Sequence, residues 1–585
     1  MSSVFVSRLA VAVGLGLTLP CLALAAPTER AATPEQRAAA LVAHMSREEK
    51  VAQAMNDAPA VPRLGIPAYE WWSEGLHGIA RNGYATVFPQ AIGLAASWNA
   101  NLMQQVGKVV STEARAKFNQ AGGPGKDHKR YAGLTIWSPN INIFRDPRWG
   151  RGMETYGEDP FLTGQMAVGF IRGLQGEDLN HPRTIATPKH LAVHSGPEPG
   201  RHGFDVDVSP HDVEATYTPA FRAALVQGQA GSVMCAYNSL HGTPACAADW
   251  LLNGRVRGDW GFKGFVVSDC DAVDDMTQFH YFRPDNAGSS AAALKAGHDL
   301  NCGHAYRELG TAIERGDVDE ALLDQSLVRL FAARYRLGEL EAPRKDPYAR
   351  LGAKDVDNAA HRALALQAAA ESIVLLKNDA NTLPLNAGTR LAVIGPNADA
   401  LAALEANYQG TSSAPVTPLL GLRQRFGAQQ VRYAQGAPLA AGVPGMIPET
   451  ALRGDGKPGL RGEYFDNVDM RGAARMVRQD RTVSFNWDQV APAKGIPADR
   501  YAVRWSGELL PPSAGDYTLA VRVARCFDCS GHDPVRLYID DKLVVAGNAE
   551  DKHVPAGMHN ADGRSVETVL HFDDTRPRKI RLEME

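Results

Sequence analysis

Short apolar runs alternate with longer amphipathic stretches through the first half of the chain. Residues 134–141, 184–190, 232–237 and 264–269 are apolar until their last positions, the pattern of parallel strands buried on both faces. Between them, 100–118 and 212–226 place apolar residues at helical spacing. Strands alternating with helices predict βαβ units, and the number of units predicts an α/β fold built on a (β/α)8 barrel over residues 26–340. A doubly wound sheet is the alternative. After a linker at 341–365, a second α/β pattern fills 366–455: a helix around 359–370 leads into a strand at 372–376, and buried strands follow at 391–395 and 431–434. These are too few to close a core, so the stretch reads as the first part of an α/β sandwich domain. From 456 to 585 the period becomes two. Residues 517–523 and 535–539 alternate, the Asp540-Asp541 turn follows, and 460–466, 483–487, 501–505 and 565–572 are further strands. An antiparallel β-sandwich inserted into the unfinished α/β domain is predicted, with the sequence stopping in a strand at 579–585.

Composition narrows the function. Lys and Arg number 61 against 65 Asp and Glu, without a basic block, so nucleic acid is not an expected partner. Arg8, the apolar run from Leu9 to Leu24 and the Ala23-Leu24-Ala25 site read as a signal peptide over residues 1–25, too short to span a bilayer. An exported protein is expected, periplasmic or extracellular, with no membrane insertion after cleavage. Removal of Cys21 leaves Cys235, Cys246, Cys270, Cys302, Cys526 and Cys529, an even set in an oxidising compartment. Cys270 follows one strand top and Cys302 the next. Neighbouring strands lie about 4.8 Å apart and a disulfide spans roughly 5.5–6 Å between Cα atoms, so a Cys270–Cys302 bridge is predicted. Cys526 and Cys529 are read as a local bridge, and Cys235 and Cys246 as candidates for buried free thiols. No second C-x-x-C supports a zinc site. Gly395-Pro396-Asn397 lacks the glycine fingerprint of a nucleotide loop, and Pro396 removes an N–H that a phosphate would want. No cofactor is expected.

The chemistry collects at strand ends, where a parallel barrel forms its active site. One run ends in Lys189-His190, another in Tyr237-Asn238, a third in Asp269, and 141–144 runs into Arg145-Asp146. A charged residue capping one strand is usually just where the chain leaves the core. Four strands delivering Arg, Lys-His, Tyr and Asp to one rim suit a polyhydroxylated ligand, whose hydroxyls take charge-assisted hydrogen bonds and whose anomeric carbon a carboxylate can attack.

Asn142-Ile143-Phe144-Arg145-Asp146-Pro147-Arg148-Trp149-Gly150-Arg151, Lys189-His190, Val233-Met234-Cys235-Ala236-Tyr237-Asn238 and Gly264-Phe265-Val266-Val267-Ser268-Asp269, in this order, resemble glycoside hydrolase family 3. Gly462-Glu463-Tyr464-Phe465 and Val535-Arg536-Leu537-Tyr538-Ile539-Asp540 resemble the protective-antigen-type module inserted in such enzymes. The resemblance implies Asp269 as catalytic nucleophile, Arg145, Lys189 and His190 as residues that grip hydroxyls of the terminal sugar, and Met234 and Tyr237 as the wall beside the nucleophile. It implies that Glu74, in Trp72-Ser73-Glu74-Gly75-Leu76-His77-Gly78, stands where glucosidases of the family carry Asp. The longer side chain would fill the space of a hexose hydroxymethyl and favour xylose or arabinose. Arg148 and Arg151 are read as structural, and Glu154 and Glu158 as loop and helix-cap carboxylates.

A retaining glycosidase needs a second carboxyl as acid/base, about 5–5.5 Å from the nucleophile. The resemblance puts that residue after the inserted module, beyond residue 585, and leaves Glu405 and Glu449 as guesses. One branch of the family uses an Asp–His pair on the loop after Lys-His. His202 occupies the His position, but Gly200 stands in place of the Asp, so His202 is expected to lack the partner that sets its tautomer. The expected function is an exo-acting retaining β-xylosidase acting on plant-derived oligosaccharides, with β-glucosidase as the alternative. A non-catalytic sugar-binding fragment is the reading of another class, and the missing loop Asp counts against a phosphorylase. The chain as given is expected to bind sugar and hydrolyse it poorly.

Overall fold

The computed structural model describes residues 32–341, 346–439, 445–485, 487, 490–523, 534–547 and 564–585. The leader at 1–25 and the Cys526/Cys529 pair lie outside the described residues. The four apolar runs form short, wholly buried strands: Thr135–Ile136, Ile185–Ala186, Ser232–Cys235 and Phe265–Ser268. The first two pair in parallel, as do the last two. Parallel bridges at Ser73–Ile136, Asn140–Lys189, Leu191–Cys235, Val267–Leu300 and Met55–Asn301 join them to one another and to two further segments. Past a bend at Asn56, Asp57–Ala58 meets Tyr69–Glu70 antiparallel. The described pairings trace a closed circuit of seven segments, with the strand ends gathered on one rim.

Helices surround this circuit. Ala100–Gln120 starts at Asn99, whose side chain accepts from the Leu102 N–H, and Pro160–Gln175 starts at Asp159, which caps Leu162 in the same way. The two helices meet backbone to backbone, because a Cβ at Gly107 or Gly173 would collide with a carbonyl of the facing helix. The helix predicted over 212–226 is broken into Pro210–Asp212, Val213–Tyr217, Pro219–Arg222 and Ala223–Gln227. Pro219 removes a backbone donor from its interior.

The second pattern folds differently from expectation at one point. The helix runs over Ala359–Ser372, Leu391–Ile394 pairs in parallel with Val431–Ala434, and the expected strand at 372–376 does not form. Ile373, Val374, Leu375 and Leu376 are exposed instead and pair with no strand among the described residues.

Antiparallel pairing begins at Leu452–Gly454, ahead of the boundary expected at 456. An eight-stranded sheet includes Leu460–Phe465, Ala502–Leu509, Val535–Ile539, Lys542–Gly547 and Arg578–Met584, and Gly515–Val523 pairs with Arg564–Phe572. Asp540 and Asp541 both take positive φ, 48° and 64°, the backbone of a two-residue hairpin turn. Of the run at 483–487, the described residues 483–485 and 487 form no strand; Phe485 and Trp487 stack on each other with ring centroids 4.7 Å apart. Separate apolar cores lie under the parallel circuit and the antiparallel sheet. No helix among the described residues is long and apolar enough to cross a membrane.

Cys270 and Cys302 are bonded, their Cα atoms 4.4 Å apart. Cys235 and Cys246 are also bonded, across 5.2 Å, which replaces the expectation of buried free thiols. Peptide mapping without reduction is expected to recover both linked pairs; alkylation of Cys235 and Cys246 as free thiols would contradict the second.

Candidate active site

Asp269 leaves the end of strand Phe265–Ser268. Its backbone N–H donates to the Cys235 carbonyl at 3.1 Å, and its Oδ1 accepts from the Cys270 N–H at 2.9 Å. Oδ2 is buried and has no hydrogen-bond partner among the described residues. Nε2 of His190 stands 3.4 Å from it. Burial, reinforced by the Arg151 cation, pushes the His190 imidazole well below its usual range, so the ring is neutral. Asn142 fixes its tautomer: Oδ1 of Asn142 accepts from the His190 backbone N–H at 2.9 Å and from Nδ1–H at 2.8 Å. Nε2 therefore presents a lone pair to the site, an acceptor for a hydroxyl donor.

Two buried ion pairs flank this carboxylate. Nζ of Lys189 donates to Glu74 at 3.2 Å, and Nε1 of Trp72 donates to the same oxygen at 2.9 Å. Burial favours the neutral amine, but the Glu74 carboxylate overrides it and raises the Lys189 ammonium above its ordinary range. The second pair is bidentate: Arg151 donates from Nε and Nη2 to the two oxygens of Glu154 at 2.8 and 2.7 Å. Burial alone would raise the Glu154 carboxyl; the Arg151 guanidinium holds it down at about 2.

A segment from the second α/β pattern completes the rim. The Tyr408 hydroxyl accepts from Arg151 Nη2 at 2.6 Å, and the Lys189 ammonium sits 4.5 Å from the centre of the Tyr408 ring. Asn407 donates to Glu154 at 2.7 Å, and Gln409 accepts from Arg81 at 3.2 Å.

The structure brings Asp269, His190, Lys189 and Glu74 into this cluster. Met234 is buried on the strand between those carrying Lys189 and Asp269. Tyr237 is buried at that strand's end, and burial with the nearby Asp269 carboxylate keeps its hydroxyl protonated. Arg145, expected to grip sugar hydroxyls, is exposed; the arginine inside the cluster is Arg151, expected to be structural. The loop explains the exchange. Arg145 leaves on the turn where Arg148 pairs with Asp146, and the turn Gly152–Glu154 brings the chain back under Phe144. A Cβ at Gly152 would collide with the Phe144 ring, so only glycine lets Arg151 and Glu154 return so close.

His202 does have a carboxylate partner, contrary to expectation. Its Nδ1–H donates to Oδ2 of Asp275 at 2.7 Å, from the helix Ala272–Gln278 that follows Asp269. The Asp275 carboxyl is raised to about 6 by burial, with His202 opposing the shift. Glu405 is buried at the end of the helix Leu401–Glu405. Glu449 is engaged by Arg423 and Arg481 and held below its usual range against burial, which makes it a poor proton donor. Sequence reading missed Asn142, Asp275, Asn407 and Tyr408 as parts of the site. Asn142 lay in a quoted motif; for Tyr408 no local signal exists.

Rim and circuit together define a class: α/β proteins whose strand ends gather buried polar groups around one carboxylate. The glycosyl hydrolase family 3 N-terminal domain matches residues 37–333, half of the chain, and the PA14 domain matches residues 456–570. The chain belongs to glycosyl hydrolase family 3. It is 36% identical over 547 residues to a xylan 1,4-beta-xylosidase of Xylanibacter ruminicola, covering 91% of this chain and 62% of that protein. It is 44% identical over 402 residues to beta-xylosidase/alpha-L-arabinofuranosidase 2 of Medicago sativa subsp. varia, covering 65% of this chain and 51% of that one. The chain thus spans little more than half the length of these relatives. Among solved structures it resembles a GH3 exo-beta-xylosidase in complex with a xylobiose aziridine activity-based probe, with TM-score 0.66, 35% identity, and coverage of 71% of this chain and 54% of that one. A beta-glucosidase from Listeria innocua in complex with glucose gives TM-score 0.58 at 27% identity, covering 69% of this chain and 61% of that one.

Glu154→Gln leaves the Arg151 cation buried without its counter-charge and should destabilise the protein by about 3–5 kcal/mol. Glu154 takes up its proton near 2 in the folded chain against an ordinary 4.5, so its stabilisation is complete above 4.5 and is lost as pH falls toward 2. Melting temperatures of the two proteins measured down the acid range should therefore converge below pH 4.5.

Proposed function

We infer that this chain carries the nucleophile and terminal-sugar pocket of an exo-acting retaining glycoside hydrolase, a β-D-xylosidase acting on plant-derived oligosaccharides. One observation carries the reading. Both buried cations at the rim are matched by their own carboxylates, which leaves Asp269 with an unengaged oxygen among sugar-binding groups. That oxygen attacks the anomeric carbon as the glycosidic C–O bond breaks. The departing oxygen takes a proton from a second carboxylic acid, and water then cleaves the glycosyl–Asp269 ester, returning the carboxylate. The Cys270 N–H steadies the other Asp269 oxygen, and Lys189, His190 and Tyr237 hold hydroxyls of the terminal sugar. The parallel circuit is read as a (β/α)8-type barrel and the antiparallel unit as a β-sandwich insert. Export through the leader at 1–25 to the periplasm or outside suits two disulfides, which persist in oxidising compartments.

Asp269→Asn should leave the melting temperature near that of the wild type and cut turnover of an aryl β-xyloside by several orders of magnitude. A 2-fluoro xyloside should label the peptide containing Asp269. A label on any other carboxylate removes the assignment.

Pentose preference rests on Glu74. Its buried carboxylate, tied to Trp72 and Lys189, fills the pocket one methylene further than Asp would. Glu74→Asp should shift the kcat/KM ratio of β-glucoside to β-xyloside upward by roughly 10- to 200-fold, the range one methylene supports in a fitted pocket. A strong β-glucoside preference already present in the wild type would favour the β-glucosidase reading, which the glucose-bound structural relative also supports.

A further inference from the structure

We propose that His77 is a positioning residue of the sugar pocket, which seats Tyr408 on the rim by holding the backbone carbonyl of Asn407; the inference rests on the glycosidase reading of Asp269. His77 lies three residues past Glu74 and is buried, 3% exposed. Nδ1 of its ring meets the Phe88 carbonyl at 2.8 Å, and Nε2 meets the Asn407 carbonyl at 3.1 Å. The second contact spans 330 residues of sequence, from the parallel circuit to the second α/β segment. Neither oxygen can donate, so each bond takes a ring N–H; a neutral imidazole has one and the imidazolium has two. Burial lowers the ring below its ordinary range, against the carbonyls of Phe88, Asn407 and Glu405 and the Glu154 carboxylate, which all favour its proton. The two contacts differ in what holds them. Phe88 is joined to His77 through the main chain, its N–H donating to the His77 carbonyl at 2.8 Å. That pairing sets the Phe88 carbonyl beside Nδ1 whether or not Nδ1 carries a proton. What the ring adds is the bond from Nε2–H to Asn407.

The segment needs a hold on its main chain. Ala406 and Gln409 take left-handed φ, 43° and 64°, and such backbone in residues other than glycine persists where its surroundings fix it. Asn407, Tyr408 and Gln409 reach the rim by their side chains, onto Glu154, Arg151 and Arg81. On either side of Tyr408 the circuit grips the main chain itself: His77 at the Asn407 carbonyl, and the Ala85 N–H at the Thr411 carbonyl at 3.0 Å. The Tyr408 ring so placed faces the Lys189 ammonium at 4.5 Å, and Lys189 holds a sugar hydroxyl in the glycosidase reading. Loss of the His77 bond frees the Asn407 carbonyl, lets the Tyr408 ring move and leaves Lys189 less fixed. Asp269 keeps its contacts with Cys235 and Cys270.

The test uses two side chains that each keep the position of one ring nitrogen: a Gln amide stands where Nε2 does, and an Asn amide where Nδ1 does. Calorimetric titration of the Asp269→Asn protein with methyl β-D-xyloside reads the terminal-sugar pocket. His77→Gln should bind the sugar as the parent does, and His77→Asn about 3- to 10-fold more weakly, the worth of one hydrogen bond. Amide exchange in the peptide 402–411 should rise in His77→Asn and not in His77→Gln. In a Tyr408→Ala background, His77→Asn should cost no further affinity, because the bond acts through Tyr408. A merely structural His77 would weaken binding and lower the melting temperature alike in both variants. Equal affinities of the Gln and Asn proteins, or a His77→Asn loss that persists without Tyr408, overturn the positioning role. Where His77→Asn does not fold, the folded His77→Gln protein decides: parent-like binding upholds the role and weakened binding overturns it. Failure of the parent to bind methyl xyloside overturns the glycosidase reading, and this inference with it.

Discussion

An unpaired charge is costly in a place from which water is excluded, and the two buried cations at the rim of this protein are arranged around that constraint. Lys189 and Arg151 each stand against a carboxylate that is itself buried, Glu74 and Glu154. The carboxylates have further lone pairs to satisfy. Glu74 takes Trp72, and Glu154 takes Asn140 at 3.1 Å and Asn407 at 2.7 Å. The last partner comes from the second α/β segment, so pairing the charges is one of the contacts that tie that segment to the circuit, beside those of His77 with the Asn407 carbonyl and His361 with Glu113. Tyr408 enters the rim on the same segment.

What could be read from the sequence follows from how far each contact reaches along the chain. The four buried strands announce themselves within six or so residues, and with them the strand-end positions of Asp269, Lys189-His190 and Tyr237. The Cys270–Cys302 bridge was legible because both cysteines directly follow strand tops. Arg151 was misread against Arg145 because the motif gives spacing but not the path of its loop, which turns on Gly152 and Phe144. Tyr408 lies 257 residues from Arg151, and Asp275 lies 73 from His202, separations that no local pattern encodes. The missing strand at 372–376 shows the opposite failure. Apolar, β-branched composition is a local signal, but a strand is a relation to a neighbour, and Ile373–Leu376 have none among the described residues.

A carboxylate proposed as nucleophile also has to be held still, since attack depends on sub-ångström placement of one oxygen. Here the backbone on both sides of Asp269 is covalently framed. Its amide is bonded to the carbonyl of Cys235, whose side chain is bridged to Cys246. The next residue, Cys270, is bridged to Cys302, whose own N–H is held by the Ser268 hydroxyl at 2.9 Å. Ser268 and Cys270 are the two chain neighbours of Asp269, so the loop through Cys302 closes around Asp269. Cys270 does a second task, because its N–H is the donor to Oδ1. The disulfide therefore fixes the hydrogen bond that orients the carboxylate, and it leaves Oδ2 as the oxygen directed at the site. The neutral His190 ring turns its Nε2 lone pair toward that oxygen and donates no hydrogen bond to it.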